Sequence, residues 1–366
     1  MSLSIGIIGL PNVGKSTLFN ALTGAQNAAA ESYPFCTIEP NKAIVPVPDE
    51  RLEKIAKITN PEKVTQATVV FVDIAGLVEN ASQGEGLGNQ FLSHVAEADA
   101  LLHVVRCFSD ENVAHVDTEI DPIRDIETVE TELALRDIEL VENRVEKLER
   151  QARVDDSVED QLSAAKSLAE HLSEGRSASD FPERSSESAI PLYREVPLVS
   201  DKEIIYLANT DEEISAETES CVDAVRTCAK DHGSRFLAIA AKFEQELIDM
   251  DDAERTEFRQ IYGIEEQALE RVIRAGYESL DLVSFFTIQS NQAQAWNVAR
   301  GTPADRAAGT IHSDFEEGFI RAEVIAYDDL VAHGGEEKCR AAGVVRTVGH
   351  DYQVQDGDVI RFVFDA

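Results

Sequence analysis

Gly9-Leu10-Pro11-Asn12-Val13-Gly14-Lys15-Ser16 is the stretch on which the reading of the fold turns. It matches G-x-x-x-x-G-K-[ST] in full, and each constrained position has a physical task. The two glycines let backbone N–H groups wrap phosphate oxygens, and a helix opening behind them adds its positive dipole end. Lys15 is placed to reach the β- and γ-phosphates, and the Ser16 hydroxyl to ligate Mg²⁺. The context agrees. Residues 4–8 form a short apolar run with the look of a buried strand, and residues 16–22 favour helix, with Gly24 as the expected stop. The chain therefore binds a nucleoside triphosphate, with Asn12, Val13, Gly14, Lys15, Ser16 and Thr17 forming the cradle.

Working outward, residues 68–73 are a β-branched strand ending in Asp73-Ile74-Ala75-Gly76, a D-x-x-G. In GTPase-like P-loop enzymes this Asp holds Mg²⁺ through water and the Gly amide bonds the γ-phosphate. Thr37 occupies the interval of a first switch, where its hydroxyl would complete the magnesium shell. Ras-like enzymes follow D-x-x-G with a Gln that orients the attacking water; here Leu77 stands there and cannot. Either another group positions water or hydrolysis is slow without a partner. The glycines at 84, 86 and 88 mark the following segment as a mobile second switch.

Base selection departs from guanine chemistry. No N-K-x-D follows a strand at the expected place; residues 204–208 lead instead to Asn209-Thr210-Asp211-Glu212. The Asn is kept, the Lys that packs over the base is lost, and Glu212 stands where guanine needs Asp. Adenine offers a donor at N6 and an acceptor at N1, which a backbone carbonyl and amide at Thr210 would suit. A site built for one hydrogen-bond pattern rejects the other strongly. Ala240-Ala241-Lys242 follows the next strand and is similar to the S-A-K loop that backs the base. A degenerate guanine site that still prefers GTP is the alternative.

The remaining chain sets domain organisation. Ala134, Ile138, Val141, Val145 and Leu148 repeat at three and four residues among charged neighbours, as do Val158, Leu162, Ala165, Leu168 and Leu172. This predicts two antiparallel amphipathic helices joined by a turn at 154–157. Strand texture resumes at 204–208 and 236–240, so the hairpin is an insertion. A β-rich segment begins near residue 281, its first and last strands at 282–288 and 357–364.

Composition bounds the rest. The chain has 366 residues, 43% apolar, which excludes intrinsic disorder, and a formal net charge of −36. Lysine is scarce, 11 against 22 arginines, and the acids are spread rather than gathered in a tail. Such a surface stays hydrated at high salt and points to a halophilic cytosol, a basic partner being the competing reading. The sign argues against nucleic-acid binding by bulk electrostatics, and no DNA partner is expected. No apolar run approaches a membrane span, and the N-terminus shows no basic leader, so the expected location is cytoplasmic. Five cysteines without a C-x-x-C argue against disulfides and zinc.

Taken together, the chain resembles the YchF-type, Obg-like ATPase family of the translation-factor class of P-loop NTPases. The residues that carry the likeness are 9–17, 34–41, 71–77, 85–91, 103–108, 209–212 and 311–321. The resemblance implies a G-domain-like, mostly parallel α/β sheet over residues 1–124 and 196–280, a coiled-coil hairpin over 125–195, and a C-terminal β-grasp-like TGS domain over 281–366. It implies Mg²⁺-dependent ATP hydrolysis in preference to GTP, and association with the ribosome, especially its large subunit and ribosomal RNA. It places His115 as the water-positioning residue in place of the missing Gln, and the Thr210 backbone against adenine. An Asn at position 12 in related enzymes helps hold K⁺ beside the phosphates. The expected molecule is a monomeric ATPase whose nucleotide state sets its switches, the alternatives being a GTPase of the same class and a nucleotide-regulated ribosome-binding module with incidental hydrolysis. Residues 281–366 carry twice as many acids as bases, so docking to RNA would need shape and short-range hydrogen bonds.

Overall fold

The computed structural model describes residues 3–29, 41–74, 87–110, 120–212, 214–250, 254, 268–289 and 291–365. The elements begin with β1 (Ser4–Ile8), α1 (Lys15–Ala29), β2 (Lys42–Pro46), α2 (Glu50–Thr59), β3 (Lys63–Thr65), β4 (Thr68–Asp73), α3 (Leu87–Glu97) and β5 (Ala100–Cys107). Next come α4 (Pro122–Ala152), α5 (Glu159–Ser173), α6 (Ile190–Glu195), β6 (Ile204–Thr210), α7 (Ala216–Asp231), β7 (Arg235–Ile239) and α8 (Ala241–Asp249). The last part holds α9 (Ala268–Ser279), β8 (Leu282–Gln289), β9 (Gln292–Ala299), α10 (Ala304–Gly309), α11 (Ser313–Glu317) and β10 (Phe319–Ala326). It ends with α12 (Tyr327–His333), α13 (Glu336–Ala342), β11 (Arg346–Val348) and β12 (Asp358–Phe364). The chain divides into two compact units, one of Leu3–Ala21 with Phe71–Gly263, the other of Leu22–Val70 with Ile264–Ala366.

The first unit is built on β4, β1, β5, β6 and β7, in that order across the sheet. β1 and β5, β5 and β6, and β6 and β7 all pair in parallel. Every residue of β5 and all but the first of β1 and β6 are buried, which is why these strands read as unbroken apolar runs. The chain leaves β1 toward one side for β4 and returns to the other side for β5. Such a reversal opens a crevice at the carboxyl ends of the strands. The loops after β1, β5, β6 and β7 gather there.

α4 and α5 form the expected helical pair. Asp121 caps α4 by accepting from the amides of Ile123 (3.2 Å) and Arg124 (3.1 Å), with Pro122 opening the helix. The two helices share a core of their own, with Val141 and Leu148 against Ala165, Leu168 and Leu172, capped by Phe181 and Leu192. Its root is held by Asp137, a fully buried carboxylate that accepts from the amides of Val199 (2.8 Å) and Ser200 (2.7 Å) and from the Ser200 hydroxyl (2.6 Å). Burial pushes this carboxyl above the usual range, and the three donated hydrogen bonds oppose the shift.

The second unit has a mixed sheet in the order β11-β10-β12-β8-β9-β3. β8 and β9 pair antiparallel, as do β10 and β12, while β12 runs parallel to β8. Alternation divides its two faces: Phe285 enters one core with Val298, Ala307 and Phe319, and Phe286 the other with Leu52, Ala293 and Val359. α2 is closed at its start by Asp49 and at its end by Asn60 in the left-handed conformation. The Arg51 guanidinium joins Asp49 (2.8 Å) to Asp356 (2.7 Å).

One expectation meets a different structure. α1 does not stop at Gly24 but runs on to Ala29. A lone glycine inside a helix costs only about 1 kcal/mol relative to alanine, and the buried Leu18 and Ala21 anchor the preceding turns. In the second unit, residues 22–70 and the preceding α9 cluster with the C-terminal β segment. β3 supplies the reason: it adds in parallel to β9, Lys63 opposite Gln292 and Thr65 opposite Gln294.

Candidate functional site

The crevice of the first unit holds the phosphate loop. Gly9 and Gly14 both have positive φ, 142° and 101°. A Cβ at Gly9 would lie 2.4 Å from the Val104 carbonyl oxygen, and one at Gly14 would lie 2.1 Å from Asn209 Nδ2. Glycine is therefore required by neighbours as well as by the turn. Asn12 also has positive φ, 62°, a conformation asparagine tolerates better than most residues.

Lys15 is buried, its Nζ donating to the carbonyls of Gly9 (3.0 Å) and Leu10 (2.6 Å). Burial lowers its pKa to about 8, partly opposed by the charge of Asp73. The Ser16 hydroxyl donates to the Asp73 carboxylate at 3.4 Å. Burial raises the Asp73 carboxyl above its ordinary value, while Lys15 and the Ser16 hydrogen bond pull it down. A hydroxyl and a carboxylate oxygen side by side at a helix N-terminus are hard donors suited to Mg²⁺, which usually takes one or two protein ligands and completes its shell with phosphate and water. Among the described residues no group of three or more His, Cys, Asp and Glu could hold a metal by itself, so this pair is the candidate. Thr37, Gly76, Leu77 and His115 lie outside the described residues.

Asn209, at the end of β6, ties the loop to the base side. Its Nδ2 donates to the Val13 carbonyl (2.9 Å), and its Oδ1 accepts from the Ala241 amide (3.0 Å). One buried amide thus braces the loops after β1 and β7 together. Beside it lies a cavity of about 360 Å³ lined by Gly14, Thr17, Phe108, Asp110, Asn209, Thr210, Asp211, Glu212, Ala240, Lys242 and Phe243. A larger cavity of about 1020 Å³, in the second unit around Arg51 and Tyr277, carries none of the motif residues. The smaller one adjoins the phosphate loop, and that adjacency rather than size makes it the candidate nucleotide site.

The expected residues Asn12 to Ser16, Asp73, Thr17, Asn209, Thr210, Glu212, Ala241 and Lys242 are thus in or beside one crevice. Phe108, Asp110, Asp211 and Phe243 also line it and were not expected from the sequence. Phe108 left a trace, an aromatic residue directly after a buried strand. His103, five residues earlier on β5, is fully buried, and burial followed by the Lys15 charge lowers its pKa to about 3. It is a neutral core residue facing Tyr206, ring centres 5.7 Å apart.

Comparison with known proteins agrees in both directions along the chain. A family model described as a 50S ribosome-binding GTPase matches residues 4–144, and the YchF-GTPase_C model, described as a protein of unknown function, matches residues 282–365. Proteins named Ribosome-binding ATPase YchF are similar over their whole length and that of this chain: 47% identical in Haemophilus ducreyi, 44% in Bacillus subtilis and 43% in Escherichia coli O157:H7. A solved structure described as the Schizosaccharomyces pombe YchF GTPase superposes with a TM-score of 0.83 at 33% identity, covering 99% of this chain and 98% of that one.

Proposed function

This chain belongs to the YchF family, and from that premise we propose that it is a Mg²⁺-dependent ATPase, preferring ATP to GTP, that docks on the ribosome's large subunit as a nucleotide-set switch. The observation that carries the base preference is the Asn209 brace. It keeps the scaffold of a P-loop base site, while the residues after it present Thr210 and Glu212 to the pocket instead of the Asp that pairs with guanine. The relatives' names divide between ATPase and GTPase, so the base is the point to test.

Lys15 holds the β- and γ-phosphates and stabilises charge on the leaving oxygen, and the helix N-terminus behind Gly14 supplies further amides. Ser16, Asp73 and Thr37 would hold Mg²⁺, which would supply positive charge against the phosphate oxygens. Leu77 leaves the attacking water to another residue, and His115 is our assignment for it, since a neutral imidazole can orient water or accept its proton. Loss of turnover with retained ATP binding in His115→Ala would support that role; unchanged turnover removes it. K⁺ beside Asn12 would add positive charge in the transition state, and equal rates in matched KCl and NaCl would exclude this. No described helix is long and apolar enough to cross a membrane. We place the protein in the cytoplasm as a monomer, with the helical pair of 125–195 and the TGS-like segment of 281–366 presenting the ribosome-binding surfaces.

Competitive binding of ATP and GTP with Mg²⁺ in high KCl tests the proposal. ATP should win clearly. A GTP preference of about tenfold, about 1.4 kcal/mol, overturns the base assignment and leaves a GTPase of the same class. Ribosome cosedimentation in the apo, ADP and non-hydrolysable ATP states tests the switch, and equal binding in all three would defeat it.

A further inference from the structure

One wall of the base pocket is the end of β5 and the three residues that follow, and two side chains hold it from opposite sides. The Arg106 guanidinium, only 3% exposed, lies 4.4 Å from the centre of the Phe108 ring. It donates from Nε to the Phe108 carbonyl (3.2 Å) and from an Nη to the Asp110 carbonyl (3.3 Å). From the β6 side, the Asp211 carboxylate accepts from the Ser109 amide at 3.0 Å. The β5–β6 ladder sets this up, pairing Arg106 with Asn209 and Cys107 with Thr210, so that both strands deliver their following residues to the same end of the sheet.

We propose that Asp211 and Arg106 are positioning residues for the nucleotide base, locking residues 108–110 so that the Phe108 ring stands ready against a purine. The inference rests on the nucleotide reading above and deepens it. A cation packed on the Phe108 ring fixes that ring, and a guanidinium fork on two carbonyls fixes the backbone that carries it. Asp211 closes the wall onto the loop that reads the base edge. A wall ordered in advance loses less freedom when the nucleotide binds, so its contribution falls on base affinity and leaves the phosphate chemistry to Lys15 and Ser16.

The full-length protein tests this with Asp211→Ala, Asp211→Asn and Arg106→Lys, using ATP hydrolysis kinetics and inorganic tripolyphosphate as a competitor without a base. Asp211→Ala should raise KM for ATP about tenfold with kcat changed less than about twofold, as expected for an interaction made equally in ground and transition states. Tripolyphosphate should compete as it does with the unaltered protein. Asp211→Asn, whose amide oxygen still accepts from Ser109, should recover most of the loss. Arg106→Lys keeps the charge but not the fork and should shift KM in the same direction. Wild-type KM in Asp211→Ala overturns the proposal. So does equal weakening of ATP and tripolyphosphate, which would signal general distortion, or an Asn variant as impaired as the Ala one. Asp211 is only partly buried, whereas Arg106 is buried, so the Asp211 variants remain informative if Arg106→Lys fails to fold. An unaltered protein that binds neither ATP nor GTP would defeat the functional reading itself, and is seen in the control.

Discussion

At Lys15 two demands conflict: the side chain must be charged to hold phosphate, and it must be buried to hold it without water. The structure records the conflict as a pKa lowered to about 8 by burial. An anionic triphosphate beside the ammonium favours the charged form and pulls that value back up. The sign follows. Below about pH 7 Lys15 is already protonated and binding takes up little, whereas near pH 9 the free protein has lost most of this proton and binding restores it. ATP titrations by calorimetry, in buffers of different ionisation enthalpy, should show uptake approaching one proton near pH 9. Uptake independent of pH would place the Lys15 pKa near its ordinary value. The P-loop residues were legible as a motif because their pattern is set by local backbone and by chemistry at fixed spacing. Phe108, Asp211 and Phe243 were not, since they meet only where three strand ends converge.

The elements divide by length in the same way. α4 and α5 carry enough turns for a 3.6-residue period to show, and the structure has both within a few residues of the expected ends. β3 has three residues, too few for any period, and nothing in Lys63-Val64-Thr65 announces a partner more than two hundred positions away. The Asp137 clamp is another long-range feature, joining mid-α4 to residues 199–200. Asp137→Ala leaves two amides and a hydroxyl without their acceptor, and should destabilise the helical pair by about 3 kcal/mol, each buried unsatisfied group costing about 1–3. Hydrogen exchange at residues 137–148 and 199–200 should accelerate accordingly, with Asp137→Asn in between. Unchanged exchange in the alanine variant would show that the clamp is not needed to hold the pair together.

On the scale of the whole molecule the dominant quantity is the net charge of −36. Spread over an acidic surface, that charge opposes compaction through self-repulsion, and salt relieves it as the Debye length falls from about 10 Å at 0.1 M to about 3 Å at 1 M. The thermal midpoint should therefore rise by about 10 °C or more between those KCl concentrations. An equal rise with a non-ionic osmolyte would point to general solvent exclusion instead, and a flat response would remove the high-salt reading of the composition. Acidic pairings inside the units are local exceptions, such as Arg51 between Asp49 and Asp356, and contribute through geometry more than through charge count.

By itself the sequence determined the P-loop motif, the absence of N-K-x-D at residues 209–212, the family and the broad α/β, helical and β-rich succession. These depend on residue type at short spacing, where the chain is its own ruler. The tertiary structure alone decided which residues wall the cavity beside the P-loop, that Asn209 braces the loops after β1 and β7, and that residues 22–70 cluster with the C-terminal sheet. Those facts depend on strand order and on pairings between distant segments. Such contacts are settled by burial of whole faces and by satisfaction of backbone hydrogen bonds, and no local pattern encodes them.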